Sequence, residues 1–322
     1  KTCDCALFAA ITSKPKEEAE AELIPDLQGQ GLVYRSPIVR LRQMFNLYTN
    51  LRPCKAFPGN PLNFCDDVDL VVFRENTQGL YAGVEFHPLP DEVRAALKAH
   101  SSRMGAFDDV PGDDIALSCR IFSREGCRRI VRRAFEYAKE HGYPTVTLVE
   151  KPNVIRETSG LMVREARKIA AEYPSIELWE TNVDAMAMWL VKNPQDYGVL
   201  VASNMFGDII SDLAAQLVGG LGFASSGNIG DDFAVFEPTH GSAPKYENLD
   251  PSIVNPIAMV LSSVMMLNHI GETDKAKKIR AAVAAVIAEG KVRAYDMMKL
   301  KGGPDVIKQG AATTAQITDA II

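Results

Sequence analysis

No surplus of positive charge, no uninterrupted apolar stretch and no paired cysteine spacing mark this 322-residue sequence, and each absence closes off a class of function. Lysine and arginine total 35 against 41 acidic residues, a formal charge of -6. Nucleic acid is thereby excluded as a general partner, because phosphate binding needs a basic face. Any anionic ligand must be held by local arginines. The longest apolar region, about 253–270, is broken by Asn255, Pro256, Ser262, Ser263 and Asn268. It reads as a buried helix and not as a membrane span. Six cysteines stand at positions 3, 5, 54, 65, 119 and 127, and only Cys3 and Cys5 are close. Without zinc-type pairs, reduced thiols in a cytoplasmic compartment are expected. No secretory signal precedes the first strand-like run, Cys5 to Ile11, and the chain reads as starting mid-strand with N-terminal residues missing. A dinucleotide fingerprint is missing too. The run Gly219-Gly220-Leu221-Gly222, with Gly227 and Gly230 after it, does not follow a strand and open a helix at the required spacing, so a flexible inter-lobe loop is expected. There is neither an internal repeat nor a low-complexity segment.

A chain of this length can bury a full core, as two lobes or one large α/β unit. Apolar runs followed by turn signals, Ala6 to Ile11, Val68 to Phe73, Thr145 to Val149 and Val199 to Ala202, read as short buried strands. They alternate with helices. Arg124 to Glu140 carries Ile130, Val131, Ala134, Phe135 and Ala138 at helical spacing between a Ser123 cap and Gly142, and Gly160 to Glu172 repeats the pattern. Strand, helix, strand in this order implies crossover connections and a largely parallel sheet. Glu85 to Asp114, rich in His, Pro, Asp and Gly with one possible helix at Asp91 to His100, reads as an excursion from the sheet.

Asp208 and Asp212 lie four apart in NMFGDIISD, which stacks both carboxylates on one helix face. Like charges so placed oppose the helix unless a cation lies between them, and Mg²⁺ or Mn²⁺ fits two hard oxygen ligands. Two solvated acids on an exposed helix is the plain alternative. Arg42, Arg52 and Arg74 sit among apolar and aromatic neighbours, where guanidinium forks need anions. A substrate with two or three carboxylates suits them, as would structural salt bridges. Tyr81 and Lys151 follow predicted strand ends, and lysine near a cation can be tuned toward base chemistry, although each could simply be packed or solvated. Asp184, opening a predicted helix, is either a cap or a third oxygen ligand of the same ion. In EPTHGSAPKY, the small residues Gly241, Ser242 and Ala243 allow close backbone approach, Lys245 can meet a phosphate and His240 suits a purine, while Asn255 opens the next, Pro-broken helix.

LRQMFNLYTNLRP, FRENTQGLYAGVEF, EKPNV, VDAMAMWL, NMFGDIISDLAAQ and FEPTHGSAPKY together resemble, in order, the β-decarboxylating dehydrogenases: isocitrate, homoisocitrate and 3-isopropylmalate dehydrogenases and their relatives. The resemblance implies a two-lobed isocitrate/isopropylmalate dehydrogenase-like α/β fold, with a largely parallel sheet, that is not a standard Rossmann fold. It further implies a large cofactor-binding domain from 1–47 and 219–322, its N-terminal part apparently missing, and a small substrate and dimerisation domain at 48–218 with a clasp arm at about 85–122. A homodimer with shared active sites and no membrane partner is implied as well. Arg42, Arg52 and Arg74 would bind substrate carboxylates with Ser36 near the distal group. Tyr81 and Lys151 would be the acid-base pair. Asp208 and Asp212 would hold Mg²⁺ or Mn²⁺ from one subunit, with Asp184 and Lys151 arriving from the other.

Substrate and cofactor are less direct. Where isocitrate enzymes commonly place an Asn two residues after the serine, this chain has Ile38, which resembles some homoisocitrate enzymes and would also suit isopropylmalate; LYAGVEF and AAQLVGGLG are isocitrate-like. Isocitrate is the expected substrate, with homoisocitrate or 3-isopropylmalate as alternatives. Lys245, followed by Tyr246, stands where relatives using NAD usually have Asp, and Tyr295 and Lys299 match positions around an NADP 2′-phosphate. NADP is therefore expected over NAD. A metal-dependent lyase or phosphatase, and a non-catalytic regulatory family member, are the readings from other classes.

Overall fold

Strands of three to seven residues, most of them apolar, alternate with amphipathic helices along this chain, and the computed structural model assembles them around one eight-stranded sheet. It describes residues 3–12, 16–30, 32 and 36–322. Among these residues the strands are β1 (Cys5–Leu7), β2 (Thr49–Lys55), β3 (Asp69–Glu75), β4 (Glu85–Phe86), β5 (Leu117–Ser118), β6 (Thr145–Glu150), β7 (Glu177–Asn182), β8 (Val199–Ala202), β9 (Ser225–Ile229) and β10 (Ala234–Pro238). The α-helices are α1 (Lys16–Ala21), α2 (Pro37–Met44), α3 (Asp91–His100), α4 (Arg124–His141), α5 (Thr158–Ala170), α6 (Val183–Lys192), α7 (Asn204–Gln216), α8 (Ile257–His269), α9 (Thr273–Glu289) and α10 (Thr314–Ile321).

The sheet runs β1-β10-β9-β2-β3-β8-β6-β7. Its pairings are parallel at β1/β10, β3/β8, β8/β6 and β6/β7, and antiparallel at β10/β9, β9/β2 and β2/β3. Parallel pairings form the majority, and in the middle β9 and β2 each run antiparallel to both neighbours. Side chains alternate between the faces, as the two-residue period of a strand requires. On one face Val71, Phe73, Val199 and Val201 pack with Ile130, Ala134 and Phe135 of α4 and Met162 and Ile169 of α5. On the other, Leu70, Val72, Leu200 and Ala202 pack with Met186 and Leu190 of α6 and Ile210 and Ala214 of α7. Both faces are covered, which explains strands that are nearly continuous in apolar residues.

Local signals placed several helices well. Ser123 Oγ accepts from Gly126 N at the start of α4, and Gly142 closes that helix in the left-handed region at φ 75°. The helix expected at Asp91 to His100 is α3, within an excursion whose ends pair as the β4/β5 ribbon. The first strand is shorter than the expected Ala6 to Ile11. The glycine run also differs from its expectation. Gly219 and Gly220 are buried, Gly227 lies inside β9, and the segment is packed against the sheet instead of forming a loose loop. A Cβ at Gly227 would sit 2.9 Å from the Phe236 ring, so the small residue permits close approach of neighbouring strands. No helix among the described residues is long and apolar enough to cross a membrane.

Phe135 is fully buried between α4 and the sheet. A Phe135→Ala variant is expected to lose about 3–5 kcal/mol in urea unfolding; a loss under about 1 kcal/mol would mean that this layer does not carry the core.

Candidate active site

The register of three neighbouring strands creates a polar row across the sheet: Asn228 of β9 faces Asn50 of β2, which faces Arg74 of β3. Asn50 and Asn228 are fully buried and Arg74 is 1% exposed. Such groups must find partners inside the protein. Asn50 Nδ2 donates to Asn228 Oδ1 at 2.8 Å, Asn76 Nδ2 donates to the same oxygen at 2.9 Å, and Asn228 Nδ2 donates to Glu237 Oε1 at 2.8 Å.

Three arginines hang on this row. Arg42, in the last turn of α2, reaches Glu237 Oε1 at 3.1 Å, while its buried Nε has no partner. Arg52 Nε donates to Asn50 Oδ1 at 2.7 Å, Nη1 donates to Ser211 Oγ at 2.7 Å and Asp212 Oδ1 at 2.9 Å, and Nη2 lies 3.3 Å from Asp208 Oδ1. Arg74 Nε donates to Asn204 Oδ1 at 2.9 Å and its Nη1 is ion-paired with Asp208. Burial pushes the pKa values of Arg42 and Arg74 down, so both guanidiniums demand a close anion. Helix α7 can approach Arg74 only because residue 207 is glycine, since a Cβ there would lie 2.7 Å from Arg74 Cβ.

Asp208 and Asp212 do lie on one face of α7, with positive charge between them supplied by the guanidiniums of Arg52 and Arg74. Burial raises the Asp212 pKa, opposed by Arg52 and reinforced by Asp208. Tyr81 joins this group. Its hydroxyl donates to Asp208 Oδ2 at 2.8 Å, and the Arg74 guanidinium lies 5.2 Å from its ring centre. Burial, then the charge of Asp208, pushes the phenol pKa up.

Lys151 and Asp184 form a second group. Lys151 follows β6, Asp184 opens α6, and their side chains are ion-paired, which holds the Asp184 carboxylate below its usual range. Among the described residues no hydrogen bond or ion pair joins this pair to the Asp208 group, and no three acidic, His or Cys side chains converge. One chain therefore brings Asp208 and Asp212 together and leaves Asp184 apart.

Ser36 caps α2 with Pro37 after it, and its buried Oγ has no partner. Ile38 packs into the core with Leu47 and Val235. In the second predicted region Ser242 N donates to Thr12 Oγ1 at 3.0 Å, His240 Nδ1 lies 3.0 Å from Gly241 O, and Ala243 is left-handed at φ 47°. Lys245 Nζ lies 4.8 Å from the Tyr246 ring centre, and Tyr246 meets Tyr295 edge-on at 5.9 Å. Lys245, Tyr246 and Tyr295 are thus brought together. Asn255 Nδ2 donates to Asp296 at 3.0 Å, and the exposed Lys299, three residues later, is left-handed at φ 58°.

Residues 4–321 match the model of the isocitrate/isopropylmalate dehydrogenase family. The chain belongs to that family. It is 41% identical over 321 residues to protein DlpA of Legionella pneumophila, a match covering 99% of this chain and 48% of that protein, so the chain spans about half the length of that relative. It is 40% identical over 292 residues to 3-isopropylmalate dehydrogenase of Methanothermobacter thermautotrophicus, covering 90% of this chain and 80% of that one. The crystal structure of isocitrate dehydrogenase from Methylococcus capsulatus superposes with a TM-score of 0.80 at 40% identity, covering 99% of this chain and 80% of that one.

In this member of the isocitrate/isopropylmalate dehydrogenase family, the sequence reading missed Asn50, Asn76, Asn204, Ser211, Asn228 and Glu237. A faint signal exists for some: Glu237 ends an apolar run, AVFE, and Asn50 precedes Leu51 and Arg52 in a segment that is otherwise strand-like. Glu237 is the only acidic partner of Arg42 among the described residues. A Glu237→Ala variant, which strands that buried guanidinium, is expected to lose about 3–5 kcal/mol, whereas Asp212→Asn, at a half-exposed carboxylate, stays within about 1 kcal/mol. Urea denaturation separates the two; equal losses would contradict the assigned pairing.

Proposed function

We propose that this chain performs metal-dependent oxidative decarboxylation of a 2-hydroxy acid bearing a β-carboxylate, with isocitrate as the substrate, 2-oxoglutarate and CO₂ as products, and NADP as the cofactor. The observation that carries this reading is the convergence of Tyr81, Arg52 and Arg74 on Asp208, with Asp212 beside it. Arg42, Arg52, Arg74, Asp208, Asp212 and Glu237 balance as three cations and three anions. If Asp208 and Asp212 take a divalent ion, the buried guanidiniums of Arg52 and Arg74 need new anions, and substrate carboxylates supply them. The unpartnered Ser36 Oγ and Arg42 Nε are further donors for such a ligand.

The all-carboxylate donor set of Asp208 and Asp212, completed by Asp184 of a partner subunit, fits Mg²⁺ or Mn²⁺ better than a softer ion. When bound, the ion and the nicotinamide supply Lewis-acid stabilisation and a two-electron acceptor. The chain's own groups do the rest. Arg42, Arg52 and Arg74 orient the carboxylates. Lys151 accepts the proton of the substrate hydroxyl. Loss of CO₂ from the β-carbon leaves an enolate, and Tyr81, whose raised pKa keeps its phenol protonated, returns a proton to that carbon.

The separation of the Lys151–Asp184 pair from the Asp208 group supports a homodimer in which each site draws on both subunits. Exposed Met188 and Val191 on α6 and Ile209 on α7 supply the apolar surface for it. Residues 1–47 and 219–322 form the cofactor lobe in this reading, 48–218 the substrate lobe, and 85–122 the clasp. Lys245 beside Tyr246 and Tyr295 supports NADP, since a cation attracts the 2′-phosphate.

The test is nicotinamide reduction with isocitrate, homoisocitrate and 3-isopropylmalate, each with NADP and NAD, with and without Mg²⁺. Mg²⁺-dependent NADPH formation with isocitrate is expected, and Lys245→Asp is expected to lose NADP turnover selectively. Preference for either other acid overturns the substrate, equal loss with both cofactors overturns the NADP assignment, and no reduction under any condition favours a lyase or a regulatory member.

A further inference from the structure

Behind Lys151 lies a buried knot that the proposed chemistry does not use. Glu150, the last residue of β6 and 1% exposed, is the covalent neighbour of Lys151. Its Oε2 accepts from Ser159 Oγ at 2.6 Å and from Arg120 Nη2 at 2.9 Å, and its Oε1 accepts from Ser203 N at 3.1 Å. Both Nη groups of Arg120 make two bonds each: Nη2 also donates to Ser203 Oγ at 2.8 Å, and Nη1 donates to Thr158 Oγ1 at 2.8 Å and Ser159 Oγ at 3.0 Å. The guanidinium lies 4.5 Å from the Phe122 ring centre and 5.0 Å from that of Phe206. Ser159 Oγ in turn accepts from Lys151 N at 3.4 Å.

Four segments meet here. They are the end of β6 that leads into Lys151, the first turn of α5, the residue that caps α7 ahead of Asn204 and Asp208, and the return strand of the β4/β5 excursion, two residues before Arg120. A buried ion pair is weak as a source of stability, because desolvation offsets its attraction and an apolar pair of similar volume often serves as well. Its geometric effect is different: with both partners locked by three hydroxyls and a backbone amide, the backbone that carries Lys151 has one position.

We propose that Arg120 is a positioning residue which, through Glu150 and Ser159, fixes Lys151 and ties it to the excursion at 85–118; the kinetic part of this inference rests on the function proposed above. Arg120 touches neither Lys151 Nζ nor any of the carboxylates assigned to the metal. It acts by placement.

Three variants test it: Arg120→Met, Arg120→Lys, and the double change Arg120→Met with Glu150→Gln, which removes the stranded charge. Site-resolved acylation by an amine-reactive ester, read by mass spectrometry at Lys151 against Lys308, reports the lysine's placement without turnover. Arg120→Met is expected to speed labelling at Lys151 severalfold with Lys308 unchanged, and to cut kcat by about 100-fold with KM within about threefold. Arg120→Lys is expected to recover part of both. The double variant is expected to regain the wild-type urea midpoint while Lys151 labelling stays fast and kcat stays low. Labelling unchanged in Arg120→Met, or labelling and kcat returning together with stability in the double variant, would overturn the proposal. Should the wild type turn over none of the three acids, the functional reading falls by itself, and labelling at Lys151 still decides the positioning role.

Discussion

Guanidinium groups taken out of water must meet anions, and that requirement organises the centre of this molecule. Arg42, Arg52 and Arg74 are each less than a tenth exposed, and Glu237, Asp208 and Asp212 are the carboxylates that answer them. The sheet supports the arrangement. Because β2 runs antiparallel between β9 and β3, Asn228, Asn50 and Arg74 fall into one row, and the two amides pass hydrogen bonds between the Glu237 end and the Arg52 end. Removing Asn50, Asn228 or Glu237 leaves a buried group short of a partner, so the network specifies one arrangement even where it adds little net stability.

Much of the fold was legible because it follows local rules. The apolar runs of β3, β6 and β8, the helix α3 and the capped, periodic helix α4 were read close to their observed bounds. β2 and β9 were not. β2 carries Arg52 and Pro53 in its middle, and β9 reads Ser-Ser-Gly-Asn-Ile, so neither shows strand propensity. Tertiary pairing overrides this. Pro53 is tolerated because β9 pairs only with Thr49 to Leu51, leaving the missing amide of Pro53 outside that ladder.

The candidate site divides in the same way. Asp208 and Asp212 are visible in the sequence because one helix sets their spacing, and an arginine in apolar surroundings announces its need of a partner. Which partner it takes is a property of the fold: Arg42 and Glu237 are 195 residues apart, and Arg120 and Glu150 meet only because the excursion returns beside β6. Family membership covers nearly the whole chain, yet relatives named for different acids share comparable identity with it. The acid must therefore be decided by the pocket itself, and Ile38, which the sequence offered as a discriminator, is packed into the core.

The central claim is that Asp208 and Asp212, now held by Arg52 and Arg74, accept a divalent cation when a polycarboxylate takes over those arginines. The most direct measurement is the electron paramagnetic resonance signal of free Mn²⁺ during titration with the protein and isocitrate. Loss of the free-ion signal with the wild type, and its persistence with Asp208→Asn, is the predicted result. A signal that the wild type leaves unchanged, or that Asp208→Asn removes equally well, would contradict the claim.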